Sequence, residues 1–291
     1  MAVYAIDAGG TRIKLGIVEG GKVIARTSLE ARSDEGLGAA LPVISAALRS
    51  LGDHSVDGLA IAFPSLIDGD RVVGDVGKYR DAPDLDLAAW AREEFGLPFA
   101  IDNDARMAVI GEWRHGAARG VTDAVAITLG TGIGTGVISQ GSPLRGRHGS
   151  AGILGGHMTA EVGGRLCPCG NVGCWETLAS TAALRGVGGG FNDYEAVFAA
   201  AERSDPRAVR VRDRSLKVWG ALAVSLVHAY DPEVVVIGGG VAAAGEAVVG
   251  PIREAVRRYA WTPWGEVRVV RSELGHDAAL VGCEWLMETR R

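Results

Sequence analysis

Residues 3–27 read "VYAIDAGGTRIKLGIVEGGKVIART". The apolar run Val3–Ile6 predicts a strand, Gly9 and Gly10 turn the chain, and Ile13–Val18 returns as a second strand. Gly20 and Gly21 make a tight hairpin turn into a third strand over Lys22–Arg26. The same phrase returns at residues 123–141, "DAVAITLGTGIGTGVISQG". Tyr4-Ala5-Ile6-Asp7-Ala8-Gly9-Gly10-Thr11 and Ile127-Thr128-Leu129-Gly130-Thr131-Gly132-Ile133-Gly134 each enter a glycine-rich turn from an apolar strand and come back as a strand. Any two hairpins share that much. Duplication of one unit is favoured by the continuation, because helices and a further strand of parallel type follow each copy. After the first come "DGLAIAF" (57–63) and "PFAIDND" (98–104); after the second come "PEVVVIGGGV" (232–241) and "VRVV" (267–270). Apolar spacing predicts helices over 36–51, 86–96, 105–116, 192–204, 206–229 and 277–288, and near 177–185 and 250–259. Pro42 is expected near the N-terminus of the first of these, where proline is tolerated. Strands alternating with helices specify an α/β chain with mixed sheets.

The 291 residues are 47% hydrophobic and 22% charged, a globular composition with length for one large domain or two ordinary ones. A net charge of −5 without a basic stretch gives no electrostatic footprint for nucleic acid. Residues 1–6 lack the basic, apolar and small-residue segments of a signal peptide. No apolar run reaches the length of a membrane span. The expectation is a soluble, cytoplasmic protein without membrane or nucleic-acid partners. In that compartment clustered cysteines point to metal or redox chemistry before disulfides.

Glycine turns bind phosphates where backbone N–H groups approach the anion, but the standard fingerprints fail here. Gly21-Lys22 and Gly77-Lys78 are followed by Val23 and Tyr79, where a Walker sequence needs Ser or Thr. Gly130, Gly132, Gly134 and Gly136 are spaced by twos, unlike the dinucleotide pattern. What remains is a combination. "DAGGTRIK" (7–14) offers an acid, two glycines, a hydroxyl and a lysine; "LGTGIGTG" (129–136) offers a second hydroxyl-bearing turn; "IGGG" (237–240) offers a third. Two phosphate hairpins facing each other, with a further glycine turn for a nucleoside, is the logic of the two-lobed actin-like ATPase fold, a duplicated ribonuclease H-like unit. On that logic Asp7 organises Mg²⁺ through waters. Gly9, Gly10, Thr11, Gly130, Thr131 and Gly132 meet ATP phosphates, and Gly238, Gly239 and Gly240 meet the adenosine. Lys14 adds a charge or plays a structural role. The first lobe is expected to run over 1–118 and the second over 119–291, with the last helix packing back on the first.

"AIDNDA" (100–105) places Asn103 and Asp104 at the end of a strand just before a helix, where α/β crevices hold ligands and where such residues also cap helices. With "DAGGTRIK", "PFAIDNDA", "LGTGIGTGV", "GHM" (156–158), "CPCGNVGCWE" (167–176) and "DPEVVVIGGGV" (231–241) in this order, nearly the whole chain resembles the ROK family of sugar kinases and repressors. The resemblance implies transfer of the ATP γ-phosphoryl group to a sugar hydroxyl, usually O6 of a hexose. Asp104 matches the family's catalytic base.

Cys167, Cys169 and Cys174 are three of the chain's four cysteines. They include no C-x-x-C redox motif and suit a closed structural Zn²⁺ site, which has four ligands. The resemblance supplies the fourth ligand, His157, and also makes His157 and Glu176 readers of the sugar near C1 and C2. His54, His115, His148, His228 and His276 fall in no matching motif.

Two departures from the family bear on the substrate. The family's sugar-reading Glu before Gly-His is replaced, in "SAGILGGHM" (150–158), by Ile153 or Leu154. Ser65 in "AFPSLID" (62–68) stands where the family usually has glycine, as a substrate contact or a turn cap. A polar loop, "GDVGKYRDAPDLD" (74–86), follows. Its Lys78, Tyr79 and Arg80 are candidates to read a sugar substituent, with a solvated loop as the alternative. These changes put plain glucose in doubt. Three other functions compete with the kinase reading: a sugar-responsive repressor, disfavoured because Asp7 leaves no room for a preceding helix-turn-helix; a catalytically silent sugar sensor; and a kinase using polyphosphate. The resemblance also implies a homodimer.

Overall fold

In the computed structural model, residues 1–74, 78–184, 186 and 190–290 are described. Residues 75–77 of the polar loop and residue 185 of a predicted helix lie outside them. The chain divides into two compact units: Met1–Arg119 with Arg145–Ala151 and Asp277–Arg291, and Gly120–Leu144 with Gly152–His276.

The first unit contains β1 (Ala2–Ala8), β2 (Arg12–Glu19), β3 (Lys22–Glu30), α1 (Leu37–Arg49), β4 (Gly58–Phe63), the small hairpin β5 (Ile67–Asp68) and β6 (Arg71–Val72), α2 (Leu87–Phe95), β7 (Phe99–Asn103), α3 (Asp104–His115) and a C-terminal helix, Ala278–Glu288. Its sheet runs β3-β2-β1-β4-β7. β1 pairs antiparallel with β2 and parallel with β4, which pairs parallel with β7. β1, β4 and β7 are buried along their whole length, as expected of apolar runs covered on both faces. Pro42 falls inside α1 rather than in its first turn, at the expense of one backbone bond. The first turn of α1 is held instead by Asp81, whose carboxylate accepts from the N–H groups of Leu37 (2.7 Å) and Gly38 (2.8 Å).

The second unit contains β8 (Ala124–Leu129), β9 (Ile133–Ser139), β10 (Ser142–Pro143), α4 (Trp175–Ala179), α5 (Thr181–Leu184), α6 (Tyr194–Glu202), α7 (Pro206–Tyr230), β11 (Val234–Gly238), α8 (Glu246–Tyr259) and β12 (Arg268–Arg271). Its sheet runs β10-β9-β8-β11-β12. The order and strand directions repeat those of the first unit: a hairpin partner on one side of the leading strand, and two parallel strands on the other. The helix predicted near 177–185 is two short ones, α4 and α5, broken at Ser180. Its core gathers Val125, Ile127, Trp219, Leu222, Leu226, Val235 and Ile237. Among the described residues no helix is long and apolar enough to cross a membrane.

Candidate active site

Parallel pairing sets Asp7 level with Ala62, Ala62 level with Asp102, and Phe63 level with Asn103. The carboxyl ends of β1, β4 and β7 therefore lie side by side, carrying Asp7, Ser65 just beyond β4, Asn103 and Asp104. An open α/β sheet binds ligands at this edge. Asp104 is the first residue of α3, where the helix dipole favours an anion. Its Oδ1 accepts from the Ala105 N–H at 2.8 Å. Burial first, and the charge of Asp7 second, push its pKa up to about 6, while Ala105 and Lys78 pull the other way.

Asn103 and Ser65 are hydrogen-bonded to their own unit. Asn103 Oδ1 caps α3 by accepting from Ala105 (3.0 Å) and Arg106 (3.1 Å), and its Nδ2 donates to the Ser65 carbonyl at 3.2 Å. One amide proton is left for a ligand. The buried Ser65 hydroxyl donates to the Gly74 carbonyl, so it closes the chain onto the loop start. Lys14 is likewise engaged: its Nζ lies 2.7 Å from Asp7 Oδ2, across the β1–β2 pair that registers the two residues.

In the first glycine turn, Gly9 N–H donates to the Asp7 carbonyl and the Thr11 carbonyl accepts from Ala31, both at 3.0 Å. Among the described residues, the amides of Gly10 and Thr11 are the donors left for an anion. Tyr79 is buried, not part of a solvated loop. Its hydroxyl donates to the Gly9 carbonyl at 3.0 Å, its ring packs on Phe63, and burial, with Asp7 second, pushes its pKa up to about 12.

Sequence reading passed over one feature beneath this edge. Asp102, buried in β7, accepts from Arg106 Nη1 at 2.6 Å and lies 2.6 Å from Arg145 Nη1. Arg106 Nη2 also donates to the carbonyls of Gly149 and Ala151. The buried pair anchors 145–151 beside the strand end that carries Asp104. The only signal available was an acid inside an apolar strand with an arginine four residues later.

The second unit has its own turn at the end of β8. The carbonyls of Gly130 and Thr131 accept from Thr181 and Ala182, each at 3.0 Å, and Gly130 N–H donates to Gly132. The Thr131 and Gly132 amides, with the exposed Thr131 side chain, are left for a ligand. Glu176, in the first turn of α4, accepts from the Ile133 N–H through Oε2 at 2.9 Å, which sets its carboxylate against this turn. The third turn ends β11, the parallel neighbour of β8. Gly239 has a φ of 83°, and a Cβ there would lie 2.3 Å from the Leu129 carbonyl oxygen, so only glycine lets the two turns meet.

His157, Cys167, Cys169 and Cys174 bring one ligand atom each to within 4.8 Å of one another. Cys167 Sγ lies 3.5 Å from His157 Nδ1, and Cys169 Sγ 3.7 Å from Cys174 Sγ. A tetrahedral zinc with bonds of about 2.3 Å to sulfur and 2.0–2.1 Å to nitrogen requires edges of about 3.8 Å (S–S) and 3.5 Å (S–N), so the donors fit. Burial pushes the Cys167 thiol up to about 12. Cys283 is buried in the C-terminal helix of the first unit.

This repeated unit, with acids and glycine turns at the carboxyl ends of its parallel strands, is the actin-like ATPase fold. Its particular branch follows from relatives. The ROK family profile matches residues 3–290, and the chain belongs to that family. It is 31% identical to a glucokinase of Thermotoga maritima, over 100% of this chain and 98% of that one. It is 32% identical to an N-acetylmannosamine kinase of Yersinia pestis, over 96% and 95%. A crystal structure of a ROK family glucokinase from Streptomyces griseus in complex with glucose and AMPPNP matches with a TM-score of 0.86 and 30% identity, covering 99% of this chain and 100% of that one.

Proposed function

We propose that this chain transfers the γ-phosphoryl group of ATP to O6 of a hexose or modified hexose, with Asp104 as general base. Its class is a sugar kinase, in keeping with full-length relatives that are glucokinases. The observation that carries the finer reading is Asp104 itself, a carboxylate at the strand-end edge beside Asp7, with a pKa brought up to about 6.

Ala105 N–H occupies Oδ1 of Asp104, which leaves Oδ2 to accept from the sugar hydroxyl and fix its direction. The hydroxyl becomes acidic as the P–O bond forms, and its proton passes to Asp104, whose raised pKa makes it a better acceptor than an ordinary carboxylate. Phosphoryl transfer otherwise needs positioning and charge neutralisation. The Gly10, Thr11, Thr131 and Gly132 amides supply donors for phosphate oxygens. Asp7, whose Oδ2 is paired to Lys14 and whose Oδ1 has no partner among the described residues, would hold Mg²⁺ through water, and that ion would supply charge neutralisation on the phosphates. Gly238–Gly240 takes the adenosine.

His157, Cys167, Cys169 and Cys174 would hold a structural Zn²⁺. Metal on Nδ1 of His157 leaves Nε2–H as a donor, so the metal loop would present His157 and Glu176 to the sugar. No carboxylate stands at 153 or 154: Ile153 is buried and Leu154 is 40% exposed. A sugar hydroxyl without its acceptor costs about 1–3 kcal/mol, so a hexose substituted at C1 or C2 is favoured over glucose. The assembly expected is a homodimer.

The test is a panel of hexoses and aminosugars in an ATP-consumption assay, with the phosphorylated position assigned by NMR. An N-acetylated or C1-substituted hexose is expected to exceed glucose in kcat/KM. Glucose as best substrate would refute the substrate reading, and silence on the whole panel would refute the kinase mechanism.

A further inference from the structure

Around the first glycine turn the cations are unequally committed. Lys14 is held by Asp7 at 2.7 Å, and exposed Arg12 donates to Ser28 at 3.2 Å. Among the described residues Lys78 makes no ion pair and no hydrogen bond, yet its side chain lies over the turn. A Cβ placed on Gly10 would stand 2.6 Å from Lys78 Nζ and 2.6 Å from its Cε. The bare Cα of Gly10 is therefore what admits the ammonium group. The same charge is felt at Asp104, where it favours the ionised form. Lys78 thus stands near two groups with different tasks: a turn whose free amides suit phosphate oxygens, and the carboxylate proposed to hold the acceptor hydroxyl.

The backbone holds it there against a local preference. Tyr79 has a φ of 50°, which a bulky side chain rarely adopts. Three contacts keep it: the hydroxyl on the Gly9 carbonyl, its N–H on the Ser33 carbonyl at 2.9 Å, and the ring on Phe63. Two residues on, Asp81 is bound to the first turn of α1. Strained residues over-determined in this way cluster at functional sites. Here the strain aims the preceding residue over the glycine turn.

We propose that Lys78 is a catalytic residue whose ammonium group binds the oxygens of the transferred γ-phosphoryl group at the first glycine turn. This deepens the sugar-kinase reading and rests on it. Lys14 then acts as the partner of Asp7 rather than as the phosphate cation. A lysine suits this task because a compact charge on a flexible stem can follow oxygens that shift along the transfer line.

Nucleotide titrations test the proposal without turnover. AMP-PNP and ADP are titrated with Mg²⁺ into wild type, Lys78→Met and Lys78→Arg, with thermal unfolding as the check on folding. Lys78→Met is expected to weaken AMP-PNP about tenfold and ADP less than about twofold, since only the former has the γ-group. With the best sugar, kcat is expected to fall about 100-fold with sugar KM changed less than about threefold, and Lys78→Arg to recover part of the loss. Equal AMP-PNP affinity in wild type and Lys78→Met would overturn the proposal. So would a raised sugar KM at unchanged kcat, which would assign Lys78 to the sugar. If no sugar is phosphorylated but the AMP-PNP preference depends on Lys78, the phosphate contact stands and the kinase mechanism alone fails.

Discussion

Replacing Asp104 with Asn should cost activity and add stability, and both effects can be sized from its surroundings. Asparagine keeps the shape and the acceptor for the Ala105 N–H but cannot take a proton. General base catalysis is worth roughly 10²–10⁴-fold, so kcat should fall by that factor with sugar affinity retained. Stability moves the other way. Burial and the charge of Asp7 raise the folded-state pKa from 3.8 to about 6, so the ionised carboxylate is disfavoured in the folded protein. A rise of that size corresponds to about 3 kcal/mol in full; with the side chain partly reaching water, about 1–2 kcal/mol is the expected gain, or about 2–4 °C in the unfolding midpoint. The sign with pH follows. Below the ordinary carboxylate range both states are protonated and the penalty vanishes; it grows as pH rises and is complete above about 6. The substitution should therefore stabilise at about pH 8 and be neutral near about pH 3.5. In wild type, kcat/KM should fall with a slope of one as pH drops through about 6. Calorimetry at the two pH values and a pH–rate profile decide the matter. A variant with kcat within about threefold of wild type, or a profile flat to about pH 5, would refute the reasoning.

The remaining predictions concern the two supporting structures. Metal analysis should find one zinc per chain; Cys167→Ser should lose it, with several kcal/mol of destabilisation by denaturant titration, and full metal occupancy in that variant would count against the Cys₃His site. Arg106→Ala should cost about 2–4 kcal/mol by urea unfolding, because it leaves the buried Asp102 carboxylate to the exposed Arg145 alone and takes the donor from the Gly149 and Ala151 carbonyls; pairing Arg106→Met with Asp102→Leu should recover much of that loss, and an Arg106→Ala loss below about 1 kcal/mol would show the pair to be incidental.

Much of this protein was legible in order and spacing. The two strand–turn–strand phrases foretold two sheets of one topology, because an apolar run leading to a glycine turn is a local property that needs no knowledge of the rest. The three cysteines could be grouped as candidate ligands from their density alone, whereas His157 came from the family resemblance; the fold brings the four donors within 4.8 Å of one another. Asp104 was legible as a strand-end acid before a helix.

What spacing could not reveal is which polar atoms remain available once the chain has packed. In the sequence Asn103 reads as a ligand contact or a helix cap and Ser65 as a substrate contact or a turn cap; the fold puts the Asn103 Oδ1 on the cap of α3 and the Ser65 hydroxyl on a loop carbonyl. Lys14 reads in the sequence as an added charge or a structural residue, and strand register seats it on Asp7. Lys78 and Tyr79, in a stretch that reads either as a substituent-reading loop or as a solvated one, lie against the first glycine turn some seventy residues earlier, Tyr79 bonding Gly9. The order of residues decides which chemistry is present and which elements carry it, since propensity and periodicity act over a few residues. The tertiary structure decides which donors, acceptors and charges are already satisfied, since that depends on partners far apart in the chain.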